Sequence, residues 1–140
     1  MKFVKLIVFS VILQAVCLGQ TWVPQSNPSP GVMFSVYAYS SNVAWASGEY
    51  GKVLYTSNGG ANWLPSISSG LVSAERLYFL NASTGFTAGI SGSLMSGAST
   101  ASVAKTTNGG LNWITTQLPD NGSAFELQFV NANDGFLLIR

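Results

Sequence analysis

Short runs of apolar and β-branched residues, separated by turn-forming residues, recur along most of the chain. Residues 53–56 (Val-Leu-Tyr-Thr), 77–80 (Leu-Tyr-Phe-Leu) and 85–88 (Gly-Phe-Thr-Ala) are bounded by clusters rich in Gly, Asn and Ser. Runs of this length with such boundaries predict β-strands. No amphipathic helical stripe with caps follows residue 19, so the pattern predicts an all-β fold.

The first 19 residues follow a different pattern, which is typical of a secretory signal peptide. Lys2 and Lys5 flank the start of an apolar run over residues 3–16, and small residues follow it before the polar Gln20. A basic start, a short apolar core and a small-residue cleavage site are the marks of such signals. We therefore predict a signal peptide over residues 1–19 and export to the periplasm, the cell surface or the extracellular space.

Two other interpretations of this segment fit less well. A membrane anchor requires about 20 apolar residues, and the run is shorter, so no stable membrane span is expected after cleavage. A lipoprotein would be acylated at Cys17, but Gln14 and Val16 are poorly suited to the positions before it. Because Cys17 is the single cysteine, the exported protein would form no internal disulfide.

Two segments separated by 50 residues are nearly identical. Residues 56–63 read Thr-Ser-Asn-Gly-Gly-Ala-Asn-Trp, and residues 106–113 read Thr-Thr-Asn-Gly-Gly-Leu-Asn-Trp. The Asn-Gly pair in each favours a tight turn, since both residue types accept positive φ at low cost. Self-similarity at such a spacing indicates a repeat architecture.

Two aromatic series mark the same repeat, with spacings of 41 and 50 residues: Trp22, Trp63 and Trp113, and Trp45, Phe86 and Phe136. The repeat units extend over about residues 22–62, 63–112 and 113–140. The extra length of the second unit falls within residues 90–102, whose Gly, Ser, Ala and Thr content predicts a flexible loop.

A unit of this length with about four short strands is typical of a β-propeller blade. The sequence therefore predicts an all-β fold in which residues 20–140 form about two and a half four-stranded antiparallel blades of an incomplete ring. A ring needs about four or more blades to surround its axis. We therefore expect the sequence to be the N-terminal part of a longer protein, or a truncated reading frame.

Residues 48–63 resemble the repeats of photosystem II stability/assembly factor-like proteins, which belong to the wider group of BNR or Asp-box propellers. The Asp box reads Ser/Thr-x-Asp-x-Gly-x-x-Trp. It is matched by Thr56, Asn58, Gly60 and Trp63, and again by Thr106, Asn108, Gly110 and Trp113. The resemblance covers nearly all of residues 20–140. It implies that the box is a structural element in which the tryptophan packs between blades.

Both boxes carry Asn where the family pattern has Asp. The Asn side chain keeps a carbonyl acceptor for nearby backbone N–H groups, so the turn is expected to form. The charge is lost, which argues against a cation-dependent role for the box.

The composition excludes several kinds of chemistry. The chain has no histidine, which excludes histidine-based catalytic triads and His-ligated zinc. Its six basic residues and net charge of +1 do not provide the basic surface that nucleic acids require. A sialidase-like reaction would need an arginine cluster, and the chain has only Arg76 and Arg140. We therefore expect no catalytic residue, no metal site and no cofactor.

Three other polar residues have simple interpretations. Asp134 occupies a turn position of the repeat, and we interpret it as a turn former. Asn81 and Asn121 begin Asn-x-Ser triplets, which are glycosylation acceptors only in a host that glycosylates secreted chains, and otherwise fit turns.

The function predicted from these observations is that of an exported, non-enzymatic β-propeller scaffold that binds a protein partner. The family resemblance implies a role in photosystem assembly. The alternative is the N-terminal part of a secreted carbohydrate-active or adhesive propeller, whose functional residues would lie beyond Arg140.

Overall fold

A computed structural model describes residues 24–28, 31–66, 69–93 and 98–140. Within these ranges the chain is all-β, as the hydrophobic pattern predicts, and its strands form three antiparallel sheets. The predicted signal peptide over residues 1–19 lies outside the described residues, as does Trp22.

The first two sheets are four-stranded meanders in which each strand pairs with the next. The first consists of β1 (Met33–Ala38), β2 (Ala44–Gly48), β3 (Val53–Thr56) and β4 (Leu64–Pro65). The second consists of β5 (Ser73–Phe79), β6 (Gly85–Ser93), β7 (Ala98–Thr106) and β8 (Ile114–Gln117). The third sheet pairs β9 (Ala124–Phe129) with β10 (Gly135–Ile139).

The expectation of a flexible loop over residues 90–102 is wrong for most of that segment. The ladder between β6 and β7 continues from the Gly85–Thr106 pair to the Ser93–Ala98 pair. Ser91 and Ser102 are buried within it, with their Oγ atoms 2.7 Å apart. The extra length of the second unit therefore lengthens the hairpin formed by β6 and β7.

The turn between the first two strands has the same hydrogen bonds in all three sheets. One side-chain oxygen, that of Ser40, Asn81 or Asn131, accepts from the backbone N–H groups two and three residues ahead, at 2.8–3.3 Å. Such local bonds are the reason that Asn and Ser favour turns. Asp134 follows this pattern, since its N–H donates to Asn131 Oδ1 at 3.0 Å. The sequence repeat is therefore also a repeat of turn geometry.

Trp45 of β2 is the centre of the core between the first and second sheets. It is 0% exposed, and its ring stacks on Phe79 of β5 with centroids 3.6 Å apart and planes inclined by 10°. Val53 and Leu77 are buried in the same cluster. The second and third strands of the first sheet thus cover the first strand of the second sheet.

Phe86 takes the place of Trp45 in the core between the second and third sheets. Its ring stacks on Phe129 of β9, with centroids 4.4 Å apart and planes inclined by 28°. Ala88, Ala124 and Leu127 are buried around this pair. The second sheet therefore covers the third in the same way as the first sheet covers the second.

The residues at these repeat positions are exposed at the two ends of the stack. Phe136 continues the series of Trp45 and Phe86, yet it is 70% exposed. Val36 is 69% exposed, whereas its equivalents Leu77 and Leu127 are 5% and 7% exposed. We call Phe136 and Leu138 of β10 the trailing face, and Val36 and Ala38 of β1 the leading face.

Candidate functional site

The first box-like segment forms a turn closed by its own side chains. Thr56 Oγ1, at the end of β3, accepts from the N–H of Gly60 at 3.0 Å and of Asn58 at 3.3 Å, and donates to Asn58 Oδ1 at 3.0 Å. Asn58 Oδ1 also accepts from the N–H of Asn62 at 2.9 Å. The side chains of Thr56 and Asn58 therefore stabilise the turn to which they belong.

The second box-like segment has the same four hydrogen bonds. Thr106 Oγ1 bonds Gly110 N–H at 2.9 Å, Asn108 N–H at 3.3 Å and Asn108 Oδ1 at 3.0 Å, and Asn108 Oδ1 accepts from the N–H of Asn112 at 2.9 Å. The two central residues have φ of 71° and 94° in this turn, and 67° and 86° in the first. Glycine fills both positions because it adopts positive φ without strain.

The Asn in place of Asp is expected to be neutral for the turn. Because the Oδ1 atom of Asn108 acts as an acceptor, a carboxylate would accept the same bonds. We expect Asn108→Asp to change the free energy of unfolding by less than about 0.5 kcal/mol. Asn108→Leu should lower it by about 1–2 kcal/mol, since two donors lose their acceptor. Urea unfolding measures both, and equal losses would contradict the acceptor role.

The second turn is also attached to the first sheet. Trp45 Nε1 donates to the Gly109 carbonyl at 3.0 Å, and Ser66 Oγ donates to the Gly110 carbonyl. Trp45 lies on β2 of the first sheet, and Ser66 directly follows β4 of that sheet. This turn is therefore a docking element between two sheets.

Gln25 takes the place at the first turn that Ser66 takes at the second. A Cβ atom on Gly110 would lie 3.2 Å from Ser66 Oγ, and one on Gly60 would lie 2.5 Å from Gln25 Oε1. Gln25 precedes Ser66 by 41 residues, which is the repeat spacing. The indole of Trp63 donates to Gln25 Oε1 at 3.4 Å. Residues 24–28 thus lie where the end of a preceding sheet would lie.

The two box tryptophans are partly buried in different surroundings. Trp113 packs on the core of the first two sheets, with its ring edge-on to Phe79 at 6.2 Å. Trp63 borders a cavity on the other side of the first sheet, beside Gln25, Met33 and Leu54. Trp113 therefore has a neighbouring sheet beside it, whereas Trp63 has residues 24–28.

An apolar groove of about 480 Å³ lies between the first sheet and the second turn. Its lining includes Leu64 and Pro65 of β4 on one side and Leu111 on the other. Both leucines are exposed despite their size. Exposed leucines beside a concave surface suit an apolar side chain of a partner protein.

A second, more polar groove follows the first strands of the three sheets. It has a volume of about 600 Å³, and Tyr37, Tyr78, Arg76, Glu126 and Gln128 contribute to its lining. The Tyr37 and Tyr78 rings lie 5.0 Å apart. Burial, and next the adjacent Tyr78, raise the pKa of Tyr37 above its usual value of 10.0.

The raised pKa of Tyr37 predicts a loss of stability in alkaline solution. The folded chain holds this proton more tightly than the unfolded chain, so the contribution is complete below about pH 10 and decreases as the pH rises through the folded pKa. We expect Tyr37→Phe to reduce the alkaline loss in the free energy of unfolding. Urea unfolding at a series of pH values measures it. Identical alkaline losses in variant and wild type would contradict the prediction.

The two arginines of the chain meet beside one aromatic ring. The Cζ atoms of Arg76 and Arg140 lie 5.8 and 5.4 Å from the Phe125 ring centroid. Both arginines line a cavity of about 200 Å³, which also contains Glu75. Ser123 Oγ donates to Glu75 Oε2 at 2.6 Å. The sequence spacing of the arginines gives no sign of this arrangement, because it depends on the pairing of β9 with β10 and on the packing of β5 against β9.

Within the described ranges, no group of three or more His, Cys, Asp or Glu side chains is placed to hold a metal ion. The same ranges contain no helix with the length and apolar character needed to cross a membrane.

Comparison of the chain with models of known protein families, with curated proteins and with solved structures gave no match. What the protein does is therefore inferred from its own residues and their geometry.

Proposed function

We propose that the chain forms blades of an exported, non-enzymatic β-propeller scaffold that binds a protein partner. The observation that supports this most strongly is the repeated core, with Trp45 on Phe79 and Phe86 on Phe129. Blades of a propeller are antiparallel sheets arranged radially, so that their first strands surround the axis. Here β1 lies beside β5, and β5 lies beside β9.

The box-like turns support a structural use of these residues. The Thr and Asn side chains that could bind a ligand are engaged in hydrogen bonds within their own turns. The resemblance to photosystem II stability/assembly factor-like proteins makes assembly of a protein complex the role to test. The resemblance rests on the two box-like segments and on the two aromatic series in register with them.

The apolar groove beside the second turn is the surface best suited to such a partner. Leu64 and Leu111 would be buried by an apolar side chain entering the groove. Apolar contacts at the centre of an interface, surrounded by polar groups, are typical of protein–protein recognition. The polar residues Ser83 and Asn108 also line the groove and provide polar atoms for its margin.

Affinity capture from the envelope fraction of the source organism, with the protein expressed from its own gene, tests this proposal. We expect one specific protein to be captured and to crosslink at the groove. The variant Leu64→Asp with Leu111→Asp should reduce its recovery at least tenfold, whereas Thr116→Asp, on the exposed β8 strand, should not. Capture that both variants retain equally, or hydrolysis of a glycoside by the purified protein, would contradict the proposal.

The alternative function, a carbohydrate-active or adhesive protein, is favoured by the two arginines beside Phe125. Guanidinium groups bind carboxylates well, and an acidic sugar presents one, although Glu75 in the same cavity opposes an anion. A glycan array distinguishes the two functions. Binding of acidic glycans that Arg140→Gln abolishes would support the alternative, and an empty array would exclude the carbohydrate version of it.

A further inference from the structure

We infer that two copies of the chain pair through β8, the outermost strand of the second sheet, and form a symmetric dimer. The edge of this strand carries backbone donors and acceptors that the sheet itself does not use. The pairing goes beyond the capture of a protein partner, because it uses residues that do not line the apolar groove.

The strand β8 ends the second sheet on its outer side. It follows β7 in the strand order, and all four of its residues are exposed. It lies on neither the leading face nor the trailing face, and its open edge is on the side opposite β7. An open edge presents a row of backbone N–H and C=O groups with which another strand can pair.

The hydrogen bonds to β7 determine which residues of β8 point outward. The N–H of Leu118, directly after the strand, donates to the Ala101 carbonyl at 2.8 Å. Every second residue of an antiparallel strand bonds the same neighbour, so Thr116 bonds β7 as Leu118 does. Thr115 and Gln117 therefore direct their N–H and C=O groups toward the open side.

The equivalent edge of the first sheet is closed. The strand β4 has two residues, and Pro65 occupies the position that Thr115 has in β8. Proline has no N–H to donate, and short strands and prolines commonly protect sheet edges. Residues 114–118 (Ile-Thr-Thr-Gln-Leu) contain neither a proline nor a charge. Of these two outermost strands, β8 is therefore the one on which a further strand can pair.

The open edge is complementary to a second copy of itself. If Thr116 lies opposite Thr116 of the second copy, Thr115 lies opposite Gln117, and each such pair exchanges two N–H···O bonds. The same register places Ile114, which is 78% exposed, opposite Leu118 of the second copy. Apolar cross-strand pairs stabilise a sheet, and no like charges meet. Because the contact uses one strand twice, it closes at a dimer.

The exposure of Ile114 belongs to its position in the repeat. Leu64, its equivalent in β4, is 61% exposed although a complete four-stranded sheet follows. Packing between sheets therefore leaves this position of an outermost strand accessible. The backbone edge itself lies in the plane of the sheet, so a sheet stacked on either face leaves it open.

Two substitutions at Thr115 test the inference by sedimentation velocity of the purified protein from about 1 μM to about 1 mM, the range of weak complexes. The wild type should shift from monomer to dimer and to nothing larger. Thr115→Pro should remain monomeric, because it removes an outward N–H and copies the closed edge of β4. Thr115→Val keeps the N–H and should dimerise as the wild type does. Both variants lose the hydroxyl that donates to the Ser69 carbonyl, so that loss cannot explain a difference between them.

Disulfide trapping tests the register of the two strands. In a Cys17→Ser background, Thr116→Cys provides the single thiol of the chain. Opposite residues of a non-hydrogen-bonded pair have Cα atoms about 4.5 Å apart, a distance that a disulfide spans. Thr116→Cys should therefore form a covalent dimer under mild oxidation. Ile114→Cys is the control and should remain monomeric, since it lies opposite a different residue of the second copy.

Circular dichroism verifies that each variant is folded, and if Thr115→Pro is unfolded, Gln117→Pro replaces it, because Gln117 also directs its N–H outward. The groove variant with Leu64→Asp and Leu111→Asp should still dimerise, which separates the pairing from the capture of a partner. A monomeric wild type, a dimeric Thr115→Pro, a monomeric Thr115→Val or a disulfide at position 114 instead of 116 would overturn the inference. Capture of the groove partner by a monomeric wild type would overturn it while leaving the scaffold proposal intact.

Discussion

Replacement of Trp45 by alanine is expected to lower the free energy of unfolding by about 3–5 kcal/mol. The side chain is fully buried and stacked on Phe79, so its removal leaves a large cavity between the first and second sheets. The indole N–H that holds the Gly109 carbonyl is lost as well. Urea unfolding followed by tryptophan fluorescence and by circular dichroism measures the change.

The repeat provides a matched control for this substitution. Phe136 occupies the same repeat position in the third sheet, but it has no neighbouring sheet over it within the described part of the chain. Phe136→Ala should therefore change the free energy of unfolding by less than about 1 kcal/mol when measured on dilute, monomeric protein. If the two substitutions lowered the free energy of unfolding by similar amounts, Phe136 would be covered in solution. The difference in burial between Trp45 and Phe136 would then be wrong.

Thr106→Val is expected to cost about 2 kcal/mol, because the two side chains have nearly the same shape and only the hydroxyl group is lost. The buried Gly110 N–H and the Asn108 N–H would lose their acceptor, and an unsatisfied buried donor costs about 1–3 kcal/mol. The substitution should also weaken the interface between the first and second sheets, since the Gly109 and Gly110 carbonyls of this turn accept hydrogen bonds from Trp45 and Ser66.

Thr107→Val is the control for Thr106→Val. Thr107 is the adjacent residue in the sequence, and its side chain is exposed, so the same substitution there should change stability by less than about 0.5 kcal/mol. Thermal unfolding of both variants under one set of conditions compares them. A neutral Thr106→Val would show that the hydroxyl does not hold the turn.

Features that depend on local chemistry could be predicted from the sequence. The turn at Thr56 and Asn58 is determined by side chains that reach their own backbone within four residues. The short apolar runs likewise predict strands without knowledge of their partners. The spacing of the aromatic series also identified Trp45 and Phe86 as equivalent, and the structure places both between sheets.

Features that depend on distant parts of the chain could not be predicted in this way. Residues 90–102 have no alternation of apolar and polar side chains, so their pairing in a hairpin is visible only once β6 and β7 are aligned. Phe136 has the same residue type and spacing as the half-buried Phe86, and what differs is the presence of a covering sheet. The approach of Arg76 to Arg140 depends on the pairing and packing of three strands.

The position of Gln25 beside the first turn has a consequence for how such a chain can change in evolution. Gln25 and Ser66 are different residues, yet each fits against the box-like turn of the sheet that follows it in the chain. Each sheet contacts its neighbours through equivalent surfaces. If a unit were duplicated or deleted, the sheets brought together would therefore still have matching surfaces. The gene could therefore gain or lose whole sheets while the remaining cores stay packed, and the number of sheets can vary more readily than the interior of any one of them.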